Sequence, residues 1–216
     1  IHMKAISKMK SLILKYRHAW VLLYGLIYMP WFCYLEKRQT IHYLIHSPLD
    51  DYIPFVEYFI IPYLLWFVFL AVTGAYFFFT NRRDFYRLAT FLCSGITIFP
   101  NGLNLRPVTF PRENIFTDLV RMIYSMDTPT NVLPSIHVYN SIGAMAAIAH
   151  STSLKKHRGV QIGSYVLGIL IIFSTVFLKQ HSITDVIAAL AMACMIYPFV
   201  YATQEKKETK LSQQLI

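Results

Sequence analysis

Hydrophobic positions gather into six long uncharged runs separated by short polar segments: Ala19 to Leu35, Tyr58 to Thr80, Leu88 to Leu105, Val132 to Ala149, Gly159 to Leu178 and Val186 to Gln204. Each approaches the ~20 apolar residues with which a helix crosses about 30 Å of hydrocarbon. A helix satisfies its own backbone groups in lipid, whereas a lone strand or loop does not. One such run fits a buried helix of a soluble domain, but six in 216 residues leave too little polar chain to cover them. The pattern predicts an all-α integral membrane protein of six transmembrane helices, a single domain over residues 3–216. Ile1 and His2, ahead of Met3, read as an expression remnant and are set aside. The first run lacks a small-residue cleavage site and leads into aromatic and charged sequence, so it reads as a span rather than a cleavable signal.

Composition supports this pattern. Apolar residues make up 56% of the chain and charged ones 14%, against about 45–50% and 25% in soluble domains. Disorder, a coiled coil and a disulfide-stapled mini-protein are excluded. Cys33, Cys93 and Cys194 are odd in number and lie within the runs, where small apolar packing is the expected role.

The net charge of +9 gains meaning from its distribution. With the N-terminus inside, 14 of the 20 Lys and Arg residues fall on the inner side and 6 on the outer. Of the 11 acids, 3 fall inside and 8 outside, leaving +11 inside and −2 outside. Lys and Arg concentrate in cytoplasmic loops, so the chain is expected to be a multi-pass protein of the cell membrane with both termini cytoplasmic. The basic surplus reports orientation, with contact to anionic headgroups as a secondary reading; a nucleic-acid partner is not implied.

Polar residues at membrane depth are costly and mark candidate sites. His18, His150 and His157 fall at the inner boundary, where interfacial anchoring is the expected role; His42 and His46 sit in the first outer loop without an evident partner. His137 and His181 fall at the outer boundary. His181 and Asp185 are four residues apart at the opening of the sixth run, so on a helix they share a face. The carboxylate can then fix the imidazole tautomer and leave the other nitrogen as a nucleophile or base. A structural His–Asp pair or a metal pair fits the same spacing. Pro134-Ser135-Ile136-His137 opens the fourth run, where Pro and Ser suit a helix start and cap. That helix N-terminus also suits an anion, and His137 in its first turn suits proton donation; Asn140, a turn on, either orients His137 or packs against the next helix. Arg106, before Pro107, offers a planar donor fork for phosphate, or snorkels to headgroups.

These residues in order, Arg106-Pro107, then Pro134-Ser135-x-His137, then Ser174 with His181 and Asp185, resemble the type 2 phosphatidic acid phosphatase superfamily. The resemblance covers residues 99 to 185 directly and, through the six-helix layout, nearly the whole chain. It implies a metal-free, cofactor-free, two-step phosphoryl transfer at the outer face. His181, oriented by Asp185, attacks phosphorus to form a phosphohistidine; His137 protonates the departing lipid alkoxide and then activates water. Arg106, Ser135 and backbone N–H groups hold the phosphate of a lipid substrate, which enters sideways between helices. Three positions depart from the family pattern: Phe99 stands where it has Lys, Ile136 where it has Gly and Thr175 where it has Arg. Lys179 and Arg112 are the expected replacements for the missing cations. Alternatively, fewer cations match a less charged phosphodiester.

Three functions therefore compete. The leading expectation is a membrane lipid phosphate phosphatase. The second is a phosphotransferase passing a headgroup from the same His to an alcohol, and the third a non-catalytic protein that binds lipid phosphates.

Overall fold

The computed structural model describes residues 9–11, 13–37, 44–95, 102–127, 129 and 133–202 of the chain. It is an all-α bundle. A 3-10 turn, Arg17–Leu23, leads into α1 (Tyr24–Lys37), and the turn Glu57–Phe59 leads into α2 (Ile60–Thr80). There follow α3 (Arg82–Ser94), α4 (Ile115–Met126), α5 (Ile136–His150), α6 (Arg158–Phe177) and α7 (Ile183–Tyr197), which runs on into a π-turn, Pro198–Ala202. The loops contribute one small pairing, β1 (Leu44–Ile45) parallel to β2 (Gly102–Leu103).

The helix starts are written in capping residues, which satisfy the orphan N–H groups of a first turn. Asn81 accepts from the N–H groups of Arg83 and Asp84, Asn114 from those of Phe116 and Thr117, and Ser135 from that of Val138. Ser182 caps α7 in a reciprocal box with Asp185.

At the centre lies α5, packed against α2, α3, α6 and α7. Its contact faces are small where neighbours come close: a Cβ on Gly143 would stand 2.6 Å from the Phe91 ring of α3. Gly168 of α6 likewise faces Met145 of α5. The buried residues Phe77, Leu88, Ala144, Ile148 and Ile171 join α2, α3, α5 and α6 into one core, and Val138, Tyr139, Val186 and Ala189 join α5 to α7.

Three helices among the described residues are long and apolar enough to cross a membrane: Glu57–Thr80, Arg158–Phe177 and Ile183–Tyr201. The other three predicted runs take a different form. The first is broken, because residues up to Leu23 form a 3-10 turn before α1 begins. Helix α3 starts earlier than the third run, at Arg82, and ends at Ser94; Gly95, tight against the ring of Tyr139, caps it, and Gly102–Leu103 are already strand. The fourth starts late, at Ile136, because Pro134 and Ser135 form the cap. At 15 residues α5 is about 22 Å long at 1.5 Å per residue, short of the hydrocarbon thickness.

Large apolar side chains nonetheless face outward around the bundle. Ile162, Val166, Ile169 and Phe173 line the exposed face of α6, and Leu26 and Ile27 of α1 are 71% and 72% exposed. The three cysteines are free.

Two histidines depart from expectation. His18 is buried rather than interfacial, because its Nε2 pairs with the Phe78 carbonyl oxygen at 2.9 Å and its ring packs against Phe78 and Phe85. His46 has a partner after all, Asp51 Oδ1 at 2.9 Å. His42, Phe99 and the basic residues Lys4, Lys8, Lys206, Lys207 and Lys210 lie outside the described residues.

Candidate active site

The site is assembled where α5 and α7 begin. The Ser135 N–H donates to the Asp185 carbonyl at 3.3 Å, which ties the cap of one helix to the first turn of the other. His137, in the first turn of α5, and His181, just ahead of α7, are thereby brought face to face. Their ring centroids are 5.8 Å apart at 60°.

His181 is aimed by the reversal between α6 and α7. Lys179 takes a left-handed backbone, φ 53°, a conformation that favours glycine and costs other residues roughly 1–2 kcal/mol. The turn that results lets the N–H groups of both Gln180 and His181 donate to the Thr175 carbonyl at 3.0 Å, closing the end of α6. Behind His181, its Nδ1 lies 3.4 Å from Asp185 Oδ2. The Asp185 side chain is fully buried, and Oδ2 also accepts the Ser182 N–H at 2.9 Å. One carboxylate therefore both caps α7 and backs the imidazole, leaving Nε2 as the nitrogen turned away from it. The 3.4 Å contact is longer than a hydrogen bond, as is common before a substrate tightens a site.

The surroundings of His137 are different. Its ring is stacked on Tyr63 at 4.6 Å and lies against Trp66 at 4.2 Å. Neither of its nitrogens has a hydrogen-bond partner among the described residues, although the residue is only 8% exposed. It borders an apolar cavity of about 360 Å³, lined among others by Tyr63, Trp66, Phe67, Ile123 and Met126. An unpartnered imidazole at the end of an apolar cavity has the form of a group awaiting a polar atom that an apolar ligand carries.

Arg106 reaches the same place from the loop after β2. Its guanidinium stacks on the Tyr124 ring at 4.4 Å and donates to the carbonyls of Tyr124 and Asp127 at 3.1 and 2.8 Å. It also donates to Gln180 Oε1 at 2.6 Å, beside His181. Tyr124 in turn donates to the Leu178 carbonyl at 2.5 Å, so α4 is anchored over the α6–α7 turn.

The two expected replacement cations are engaged elsewhere. Lys179 donates from Nζ to the Asp50 carbonyl at 2.6 Å; burial lowers its ammonium pKa, opposed by the carboxylates of Asp50 and Asp51. Arg112 is 64% exposed and pairs with Glu57 at 3.3 Å. Thr175, where the family pattern has Arg, is buried with its hydroxyl on the Ile172 carbonyl at 2.8 Å. Ser174 donates to the Ile171 carbonyl at 2.6 Å.

Asp50 belongs to the site's support and was not foreseen. Its carboxylate accepts from Ser182 Oγ at 2.6 Å, from the Ile183 N–H at 2.8 Å and from the Ser47 N–H at 2.8 Å. The segment ahead of α2 thus holds the start of α7 and, with it, His181. The available signal was Ser47-Pro48-Leu49-Asp50, a capping-box pattern, but nothing in it names a partner 132 residues away. Tyr63 and Trp66 were also missed: their spacing on α2 gives a shared face without saying what it meets.

A family model described as the PAP2 superfamily matches residues 88–209, more than half of the chain. No curated protein and no solved structure matches the chain. The matched segment begins within α3, runs to the end of the bundle and includes Arg106, Ser135, His137, His181 and Asp185. The chain belongs to the PAP2 superfamily, whose members are generally phosphoric ester hydrolases.

Proposed function

We propose that the protein is an integral-membrane lipid phosphate phosphatase of six spans, with its active site on the extracytoplasmic side. One observation carries the reading: His137 and His181 face each other at 5.8 Å, with Asp185 behind one ring and an apolar cavity beside the other. The outward apolar side chains of α1 and α6 and the three long apolar helices support the bilayer.

In this mechanism the lone pair of His181 Nε2 forms a bond to phosphorus while the bond from phosphorus to the lipid oxygen breaks. His137 delivers its proton to that oxygen, and the lipid alcohol leaves. A water then attacks phosphorus and gives a proton to His137; the N–P bond returns its electron pair to His181, and phosphate departs. Asp185 holds the tautomer throughout. Arg106 exchanges Gln180 for a phosphate oxygen, and the N–H groups at the start of α5, beside Ser135, donate to the other phosphate oxygens. The aromatic cavity takes the hydrocarbon next to the ester.

The test is phosphate release from phosphatidic acid and from a polyprenyl phosphate by the purified full chain in EDTA. Release by the wild type and its loss in His181→Ala are expected, together with an acid-labile phosphoryl adduct trapped on His181. Undiminished turnover in the variant overturns the mechanism.

The cation count favours a second reading. With Lys179 on Asp50 and Arg112 on Glu57, Arg106 is, of these three, the cation that reaches Gln180 beside His181, which suits a phosphodiester headgroup transferred to an alcohol. A labelled phospholipid incubated with alcohol acceptors decides between the readings: labelled lipid product supports transfer, and free phosphate alone removes it.

A further inference from the structure

At the other end of α2 from the histidines, a cavity of about 450 Å³ is lined by Arg17, Arg82, Arg83 and Arg87, with Tyr86 and Phe199 among its walls. Three separate elements build it: the 3-10 turn ahead of α1, the first turns of α3, and the π-turn after α7. Tyr63 beside His137 and Thr80 at this end are separated by about 25 Å of helix at 1.5 Å per residue. The two cavities therefore belong to opposite faces of the bundle.

The cluster is held in place rather than loosely displayed. Arg82 donates to the carbonyls of Leu14 at 3.2 Å and Lys15 at 2.7 Å, fastening the chain before the turn to the start of α3. Arg87 is 8% exposed and lies 3.6 Å from Asp84, which Asn81 also holds at 3.0 Å. The inner segments of the sequence contain three acids in all, Asp84, Glu205 and Glu208. Even with all three set against these four arginines the balance stays positive, before any lysine is counted. Gathered guanidinium groups repel one another unless an anion joins them, and the fork of Arg fits phosphate oxygens in pairs.

The flanks say which kind of anion. Trp20, Leu22 and Leu23 of the 3-10 turn and Phe199 of the π-turn are all more than half exposed, so apolar surface adjoins the arginines directly. A free phosphate needs only the arginines, whereas a phospholipid uses both. We propose that this cavity binds the phosphate headgroup of an anionic phospholipid of the inner leaflet, its acyl chains lying along those exposed residues. Basic pockets on the cytoplasmic side of helix bundles recognise lipids in this way. The inference rests on the membrane reading above and is independent of the chemistry at His181.

The test compares phosphatidylglycerol with phosphatidylcholine of the same chains, added to the full chain in neutral detergent and counted as lipid retained per protein by native mass spectrometry. One phosphatidylglycerol is retained with a preference of roughly tenfold over phosphatidylcholine. The preference falls to about twofold or less in the double variant Arg17→Gln, Arg83→Gln, survives in the double variant Arg17→Lys, Arg83→Lys, which keeps the charge, and is unchanged in His181→Ala. Preference that survives in the Gln variant, with helicity and melting intact, overturns the proposal. So does its loss in His181→Ala, which assigns the lipid to the catalytic end, and so does displacement by millimolar inorganic phosphate, which makes it a site for the free anion. Where the Gln variant does not fold, salt decides with the wild type: raising NaCl to about 0.5 M abolishes a preference based on charge, and its persistence overturns the proposal. Phosphate release by His181→Ala bears on the phosphatase mechanism and leaves these outcomes standing.

Discussion

The two ends of α2 solve opposite problems with charge. At the arginine end four guanidinium groups line one cavity, and Asp84 lies 3.6 Å from one of them, Arg87. At the histidine end, where we propose the chemistry lies, two imidazoles and one buried carboxylate stand together, and Arg106, Lys179 and Arg112 are each already bonded to protein oxygen. Attraction by charge tolerates loose geometry, because Coulomb energy falls slowly with distance. Proton and phosphoryl transfer do not, because a shift of about 1 Å in a reacting group costs roughly 10²-fold. The histidine end accordingly uses its polar residues for position: Ser135 ties α5 to α7, Asp50 ties the segment ahead of α2 to α7, and Lys179 sets the turn.

The largest effect that can break this contrast is in the pair of histidines. Replacing the nucleophile by His181→Ala is expected to lower phosphate release by at least about 10³-fold with every substrate, since no covalent intermediate forms. His137→Ala removes a proton donor, worth about 10²–10⁴-fold where the leaving alcohol needs one. In the first turnover of a p-nitrophenyl ester, whose leaving group departs unprotonated, the p-nitrophenol burst of the His137 variant recovers most of that loss and that of the His181 variant recovers none, while phosphate release by the His137 variant stays slow because the water still lacks its proton acceptor. Equal losses on both substrates would show that the two rings do not divide the chemistry as their settings imply.

A smaller effect is expected at Asp50, a positioning residue. Asp50→Asn keeps the shape but weakens three hydrogen bonds made to a charged acceptor, each worth about 1.5–3 kcal/mol. The start of α7 loosens, and kcat falls roughly tenfold while KM stays within about twofold. Thermal unfolding followed by circular dichroism reports the stability cost separately. An unchanged kcat alongside a lowered melting temperature would reduce Asp50 to a structural role.

How far the sequence announced this site depends on the range of the contact. His181 and Asp185 were legible because a spacing of four residues is local, although His181 lies ahead of α7 and meets Asp185 across the cap Ser182 rather than on a shared helical face; the capping Ser135 was legible for the same reason. The all-α class followed from the apolar runs. Their lengths were not legible as helix lengths, because Ser135, Gly95 and the 3-10 turn before Tyr24 cut the helices shorter than hydrophobicity alone suggests. Asp50 and the Tyr63–Trp66 wall act across more than 70 residues of chain, and no local pattern encodes such a partner. The aim of Lys179 depends on a single positive φ, which its own side chain disfavours.

The smallest predicted effects decide which outer cation serves the phosphate. Arg106 is stacked on Tyr124 and bonded to Gln180, the neighbour of His181, so Arg106→Gln is expected to lower kcat/KM by roughly 10–10²-fold, the loss of one preorganised charged donor. Arg112 is itself exposed but pairs with Glu57, whose side chain is buried, and Glu57 keeps Asn114 at 3.2 Å when that pair is removed. Taking one partner from a buried carboxylate costs about 1–3 kcal/mol, so Arg112→Gln lowers the melting temperature measurably and kcat/KM by less than about threefold. Measuring both variants on one phosphomonoester and one phosphodiester sharpens the contrast between the ends. If Arg112→Gln costs as much as Arg106→Gln on the monoester, Arg112 swings in to meet the dianion, and the histidine end is not sparing with charge but recruits it on binding. If only Arg106 matters on both esters, a single fixed cation suffices, and the site's selectivity rests on the geometry of His137 and His181 and on the aromatic cavity beside them.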